Sequence, residues 1–169
     1  MPSESARVMS AAEARFRINA PNSKPRHVKI IALDSGSEAV VKHLAQLRWN
    51  NATFFIASAF ESEPPGRRFS VSGWLSDLAG RTKDLIDEVK GADLVIMVAT
   101  AGENAQAATL IGEACSLKRV NTTGLILGGG AATDEMLSKT LSQLRPWSLM
   151  LVIANSEDYI EDMLIALRA

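Results

Sequence analysis

Between Asp93 and Ala99 the chain reads Asp-Leu-Val-Ile-Met-Val-Ala, apolar at every position after the aspartate. A strand with one face in water alternates apolar and polar residues, so an uninterrupted apolar run predicts a strand covered on both faces. Such strands belong to parallel sheets packed between helices. Four further runs read as strands: 27–33 (HVKIIAL), 52–57 (ATFFIA), 122–127 (TTGLIL) and 149–154 (LMLVIA). Helical spacings fall between them. Val40, Leu44 and Leu47 mark one helix, and Leu75, Leu78, Thr82, Leu85, Ile86 and Val89 a second. Ala107, Leu110, Ile111, Ala114 and Leu117 line a third; Met136, Leu137, Leu141 and Leu144 a fourth; Ile160, Met163, Leu164 and Leu167 a fifth. This alternation predicts a three-layer, Rossmann-like α/β sandwich around a mainly parallel five-stranded sheet.

The chain has 169 residues, 47% of them hydrophobic, enough for one large core. The reading is an N-terminal arm over 1–25 followed by a single domain over 26–169, with a polar loop from Glu61 to Gly73. A net charge of −1 argues against a nucleic-acid partner, because neutralising phosphates needs surplus Lys and Arg. No apolar run reaches the ~20 residues that span a bilayer, so no membrane partner is expected. The first residues lack a continuous apolar stretch, and Glu4 and Glu13 weigh against a transit peptide. A single cysteine, Cys115, fits a reducing, cytoplasmic setting and reads as a structural thiol on an amphipathic helix. With only His27 and His43, no histidine-based metal centre is expected.

In open parallel sheets ligands sit beyond the carboxyl ends of the strands, which directs attention to loops 34–37, 58–73, 99–106, 128–133 and 154–157. Asp34, Ser35, Gly36 and Ser37 join a strand to a helix start, where backbone amides and the helix dipole can hold an anion. The same four residues also make a capped, tightened turn, and Asp34 puts a negative charge where phosphate would sit. Thr100, Ala101, Gly102, Glu103 and Asn104 follow the central strand and either position a ribose or water, or cap the next helix. Gly128, Gly129 and Gly130 form the only glycine cluster, admitting a ligand close to the backbone or merely ending the strand. Thr133 reads as the N-cap of the helix beyond. Arg67 and Arg68 are the only basic residues in these loops. The dinucleotide fingerprint, the Walker phosphate loop and the nucleophile elbow are all absent, and no catalytic constellation or cofactor is specified.

Residues 91–114 (GADLVIMVATAGENAQAATLIGEA) resemble the strand, signature loop and Ala-rich helix of the tubulin/FtsZ GTPase domain. Residues 30–44 are similar to that family's first strand, phosphate loop and helix, and 141–164 to its later strand and turn. The resemblance implies a nucleotide cleft at loops 34–37, 99–106 and 128–133. It also implies lost hydrolysis: Ala101-Gly102-Glu103-Asn104-Ala105-Gln106-Ala107 replaces the family's glycine-rich signature, and the guanine-contacting helix and following domain are missing.

The leading expectation is therefore a domain binding a small molecule or nucleotide, resembling a degenerate FtsZ-like domain without competent GTP hydrolysis. A non-catalytic self-association module forming a homo-oligomer is the alternative, with the arm packing on a neighbour. A small α/β enzyme using Asp34 and Glu103 as acid and base is the third.

Overall fold

The computed structural model describes residues 25–57, 74–78 and 81–169. Apart from Pro25, the N-terminal arm lies outside these residues, as does loop 58–73 with Arg67 and Arg68. The elements, in chain order, are β1 (Val28–Ala32), α1 (Ser35–Leu44), β2 (Ala52–Ile56), β3 (Trp74–Asp77) and β4 (Thr82–Asp84). They continue with α2 (Leu85–Lys90), β5 (Leu94–Thr100), α3 (Ala107–Lys118), β6 (Asn121–Leu127) and α4 (Asp134–Leu144). A 3-10 turn (Arg145–Trp147), β7 (Met150–Ala154) and α5 (Glu157–Ala166) complete them.

All seven strands form one sheet in the order β4-β3-β2-β1-β5-β6-β7. From β2 to β7 neighbouring strands run parallel, whereas β3 is antiparallel to β2 and β4 to β3. The parallel strands, numbered among themselves along the chain, lie in the order 2-1-3-4-5, the flavodoxin-like doubly wound arrangement. Its direction of winding reverses between β1 and β5.

Alternation along each strand divides the core into two layers. On one face Ile31, Leu33, Val95, Met97 and Ile126 pack with Leu85 and Val89 of α2, Ile111 and Cys115 of α3, and Leu144 of α4. On the other, Ile30, Ala32, Ile96, Val98 and Leu125 pack with Val41 and Leu44 of α1 and Ile160 and Leu164 of α5. Each fully buried Ile, Leu or Val contributes roughly 1.5–3 kcal/mol of transfer free energy. Every residue of β5 from Leu94 to Ala99 is buried, as its unbroken apolar run requires.

Two expectations need correction. The sheet is mixed and has seven strands, not five. The extra pair, β3 and β4, comes from the segment whose spacing predicts a single helix over 75–89; only Leu85–Lys90 is helical there. A local hairpin takes the first half. The Asp77 carboxylate accepts the Arg81 amide at 2.8 Å and Arg81 Nε–H at 2.7 Å, while Asp77 N–H donates to the Arg81 carbonyl at 2.9 Å. Asp84 then caps α2 by accepting the Asp87 amide at 3.0 Å. Leu75, Leu85 and Val89 are buried in one cluster, so their apolar spacing marks core positions on two different elements. Among the described residues no helix is long and apolar enough to cross a membrane.

Candidate functional site

The carboxyl edge of the parallel strands carries the candidate loops. At the end of β1, Leu33 N–H still donates to the Val98 carbonyl at 2.9 Å, which delivers Asp34 to the sheet rim beside β5. Asp34 is the N-cap of α1, in extended conformation. Its Oδ1 accepts the Ser37 amide at 2.8 Å and the Thr100 hydroxyl at 2.9 Å, and its Oδ2 accepts the Thr100 amide at 2.7 Å. Ser37 Oγ accepts the Asp34 amide at 3.2 Å and donates to the Asp34 carbonyl at 3.0 Å, completing a capping box. Asp34 and Ser37 are buried, while Ser35 and Gly36 are exposed. A Cβ on Gly36 would stand 2.6 Å from Thr100 Oγ1, so the helix start meets β5 without room for a side chain. The place where an anion would meet the α1 amides is held by the chain's own carboxylate.

The loop after β5 is tied to α4. Ala101 is buried, and its amide donates to the Leu127 carbonyl at 3.0 Å, carrying the ladder past Thr100. Gly102 adopts φ 88°, and its amide donates to Thr140 Oγ1 at 2.9 Å. Lys139 Nζ lies 3.5 Å from the Gly102 carbonyl. The Ala105 amide donates to Gln143 Oε1 at 2.9 Å. Asn104 Oδ1 accepts from the Gln106 amide at 3.0 Å and from Gln143 Nε2 at 3.4 Å. Glu103 is exposed, its amide turned to the Thr100 carbonyl. Thr140 and Gln143 thus fix a loop that sequence reasoning treated alone; their spacing of three on α4 is the signal that was there to find.

At the end of β6, Gly128 adopts φ 76°, and its carbonyl accepts the Ala131 and Ala132 amides, both at 3.1 Å. Gly129 lies against Ile153, whose Cγ2 would stand 2.2 Å from an added Cβ. Gly129 and Gly130 both face Asn155, with its Oδ1 3.4 Å from either added Cβ. A cleft of about 180 Å³ opens here between β6, β7, α1 and α5. Its apolar wall is Val40, Leu127, Ala154 and Ile160, and its polar rim is Gly128, Asn155, Ser156 and Glu157. Ser156 is the N-cap of α5 but makes no side-chain cap bond. Glu157 reaches across to α1, with Oε2 2.8 Å from His43 Nδ1.

The expected single cleft is thus divided. Asp34, Ser37 and Thr100 meet at the β1–β5 reversal, whereas Gly128 lines a cleft one strand beyond β5. Asn155 and Glu157 are not singled out by the sequence, although loop 154–157 is. Among the described residues no group of three His, Cys, Asp or Glu side chains is placed to hold a metal ion. Cys115 is buried in α3, and burial pushes its thiol up from 9.0 to about 12, far from nucleophilic use.

No family model matches the chain, and no curated protein matches it. It is similar in structure to the translation elongation factor SelB of Methanococcus maripaludis in its apo form, with 12% identity, TM-score 0.45, and coverage of 85% of this chain and 36% of that one. It is also similar to the same factor in complex with the GTP analogue GppNHp, with 10% identity, TM-score 0.44, and coverage of 87% and 34%. The chain therefore spans about a third of the length of these structures. The tubulin/FtsZ resemblance is overturned: no family model matches, and these two structures are of an elongation factor instead. The segments that suggested it are apolar strands running into small-residue loops, which any doubly wound sheet demands at these places.

Proposed function

We propose that this chain is a small-ligand-binding α/β domain whose site is the cleft between the carboxyl ends of β6 and β7, the middle of α1 at Val40 and the start of α5. The observation that carries the reading is the contrast between two neighbouring loops. At the β1–α1 loop the anion position is filled by Asp34, bonded to three donors. At the β6–α4 loop, Gly128 turns with positive φ beside an apolar wall that ends in a polar rim. That combination, apolar lining with a few convergent polar groups, is what small-molecule sites use.

The rim also sets the ligand's charge. Glu157 stands on it, and Asp158 follows it in the first turn of α5. Such a rim favours a neutral or cationic ligand and opposes a triphosphate. If the ligand is a nucleotide, the base and sugar are the parts held here. Its volume, about 180 Å³, is smaller than the roughly 300–1,000 Å³ of drug-sized sites, so the ligand is a small one or only partly enclosed. Gly128, Asn155 and Glu157 are the binding residues in this reading, with Gly129 and Gly130 letting Asn155 approach. Asp34, Ser37, Thr100, Ala101 and Gly102 are positioning residues, and Ser35, Gly36, Glu103 and Asn104 rim the neighbouring loops. The Rossmann-like character of the sandwich rests on the reversal between β1 and β5, and the buried thiol of Cys115 supports a reducing, cytoplasmic setting.

The test is a thermal-shift titration with nucleosides, GTP, ATP, NAD, small organic cations and phosphometabolites. Neutral or cationic compounds raise the melting temperature, and Glu157→Gln weakens that response to cations. A flat response to the whole panel, or stabilisation by phosphorylated compounds alone, overturns the reading.

A further inference from the structure

We infer that the free edge of β7 is a self-pairing surface, on which a second copy of this chain adds its own β7 in antiparallel orientation across a two-fold axis. The two edges of the sheet are built differently. At one end β4 is the three-residue strand Thr82-Lys83-Asp84, short and charged, as a guarded edge is. At the other end β7 is Met-Leu-Val-Ile-Ala, with Leu149 before it and no charge, proline or bulge along it. Leu149, Met150 and Ile153 are 78%, 40% and 44% exposed. An apolar edge without any of these guards is a template for another strand.

Backbone geometry says how a copy would pair. Alternate residues of a ladder direct both backbone groups to the same side. Leu127, whose carbonyl accepts the Ala101 amide, faces β5, and so do Leu125 and Thr123; their register partners Ala154, Val152 and Met150 therefore direct their backbone groups to β6. Leu151 and Ile153 direct amide and carbonyl outward, at the edge of the sheet. A two-fold axis at Val152 sets Leu151 opposite the copy's Ile153, so that the two residues exchange their outward amides and carbonyls reciprocally.

Charge selects this occupant and this orientation. The amino end of β7 is flanked by Arg145 in the preceding turn and by Lys118 and Arg119 before β6. The carboxyl end is flanked by Asp134 and Glu135 starting α4 and by Glu157 and Asp158 starting α5. Antiparallel pairing lays the basic end of each copy along the acidic end of the other; parallel pairing would oppose like charges. Continuing the sheet also sets α5 beside its copy on one face and α4 beside its copy on the other. Those helices are needed, because a stable interface buries at least ~1,200 Å² in total, more than one strand pair covers.

Sedimentation of the full chain over a range of concentrations and salt tests this. A reversible dimer that weakens with added salt is expected. Leu149→Lys with Ile153→Lys, both at exposed positions, lowers the association constant at least ~10-fold with the melting temperature of the monomer held. Arg145→Glu and Asp158→Arg each weaken the dimer ~3–10-fold, and the two together restore it. Amide exchange of Leu151 and Ile153 slows as concentration rises. A monomer up to the solubility limit overturns the inference, as does a dimer indifferent to all four substitutions. Protection of those amides that does not change with concentration also overturns it, since a segment of the same chain would then cover the edge. None of these readouts depends on a ligand, so this inference and the binding reading fail separately.

Discussion

The Thr100 amide donates to Asp34 Oδ2 at 2.7 Å while the Thr100 hydroxyl donates to Oδ1 at 2.9 Å, so one carboxylate clasps the end of β5 to the end of β1. The clasp lies where the winding direction reverses, with the crossover from β1 leaving to one face and that from β5 to the other. Strand pairing ends there, and a side chain takes over the role of the ladder. Charge-assisted bonds to a buried carboxylate are worth more than neutral ones, at ~1.5–3 kcal/mol each.

Removing the acceptor should therefore cost more than removing one donor. Asp34→Ala, which strands the Ser37 and Thr100 amides, is expected to destabilise the domain by ~3 kcal/mol, and Thr100→Val by ~1–2 kcal/mol. Urea unfolding of both single variants and the double variant is expected to show a coupling of ~1–3 kcal/mol. Strict additivity would mean that the two residues act independently.

Gly36→Ala probes the same clasp from the helix side. Its Cβ would lie 2.6 Å from Thr100 Oγ1, a distance that forces the hydroxyl away from Asp34. An exposed helical Gly→Ala change ordinarily stabilises by up to ~1 kcal/mol. Here the substitution is expected to destabilise by ~1–2 kcal/mol, and Thr100→Ser beside it, which frees space without losing the hydroxyl, recovers part of that loss.

The parallel core was legible because burial on both faces leaves an unmistakable mark: the run from Leu94 to Ala99 has no polar residue, and all of it is buried. The hairpin was not, because Leu75, Leu78, Thr82 and Leu85 keep helical spacing while the bonds between Asp77 and Arg81 fold the chain back. Spacing reports which side chains enter the core, not which backbone carries them. At the carboxyl edge the loops could be named from strand ends alone. Their division into a clasp and a cleft could not, since Asp34 and Thr100 are 66 positions apart in sequence and meet only because β1 and β5 pair. The cap read at Thr133 stands, its hydroxyl accepting the Met136 amide at 3.2 Å.

Cys115 gives a pH prediction with a definite sign. Burial raises its thiol from 9.0 to about 12, so the folded chain keeps the neutral form while the unfolded chain ionises near 9. The unfolded state then binds fewer protons, and stability falls as pH climbs from 9 toward 12. Cys115→Ala is expected to remove that part of the alkaline loss while costing cavity energy at neutral pH. A disulfide reagent should label Cys115 at the rate of global opening, and rapid labelling of the native protein would place the thiol at the surface.

The His43–Glu157 pair joins α1 to α5 over the cleft mouth at 2.8 Å, yet its side chains are 58% and 49% exposed. Solvent screening limits such a pair to ~0–1 kcal/mol. His43→Ala and Glu157→Gln should each leave the urea midpoint nearly unchanged, which makes them suitable probes of the cleft. A large loss of stability in either would mean that the contact holds the two helices together.

Gly128 separates the demands of the turn from those of a ligand. Its φ of 76° lies where an L side chain costs ~1–2 kcal/mol, yet an added Cβ would meet nothing within 4 Å. Gly128→Ala should therefore lose about that much stability through the backbone alone, and Gly128→Asn less, because asparagine tolerates the left-handed region. Equal losses for alanine and asparagine would show that the turn, contrary to its geometry, is crowded. Binding adds the second axis: a ligand seated against this backbone should discriminate by side-chain size, with Asn weakening it more than Ala despite the smaller stability loss. If affinity instead follows stability through the series, Gly128 serves the turn and the ligand contacts lie with Asn155 and Glu157.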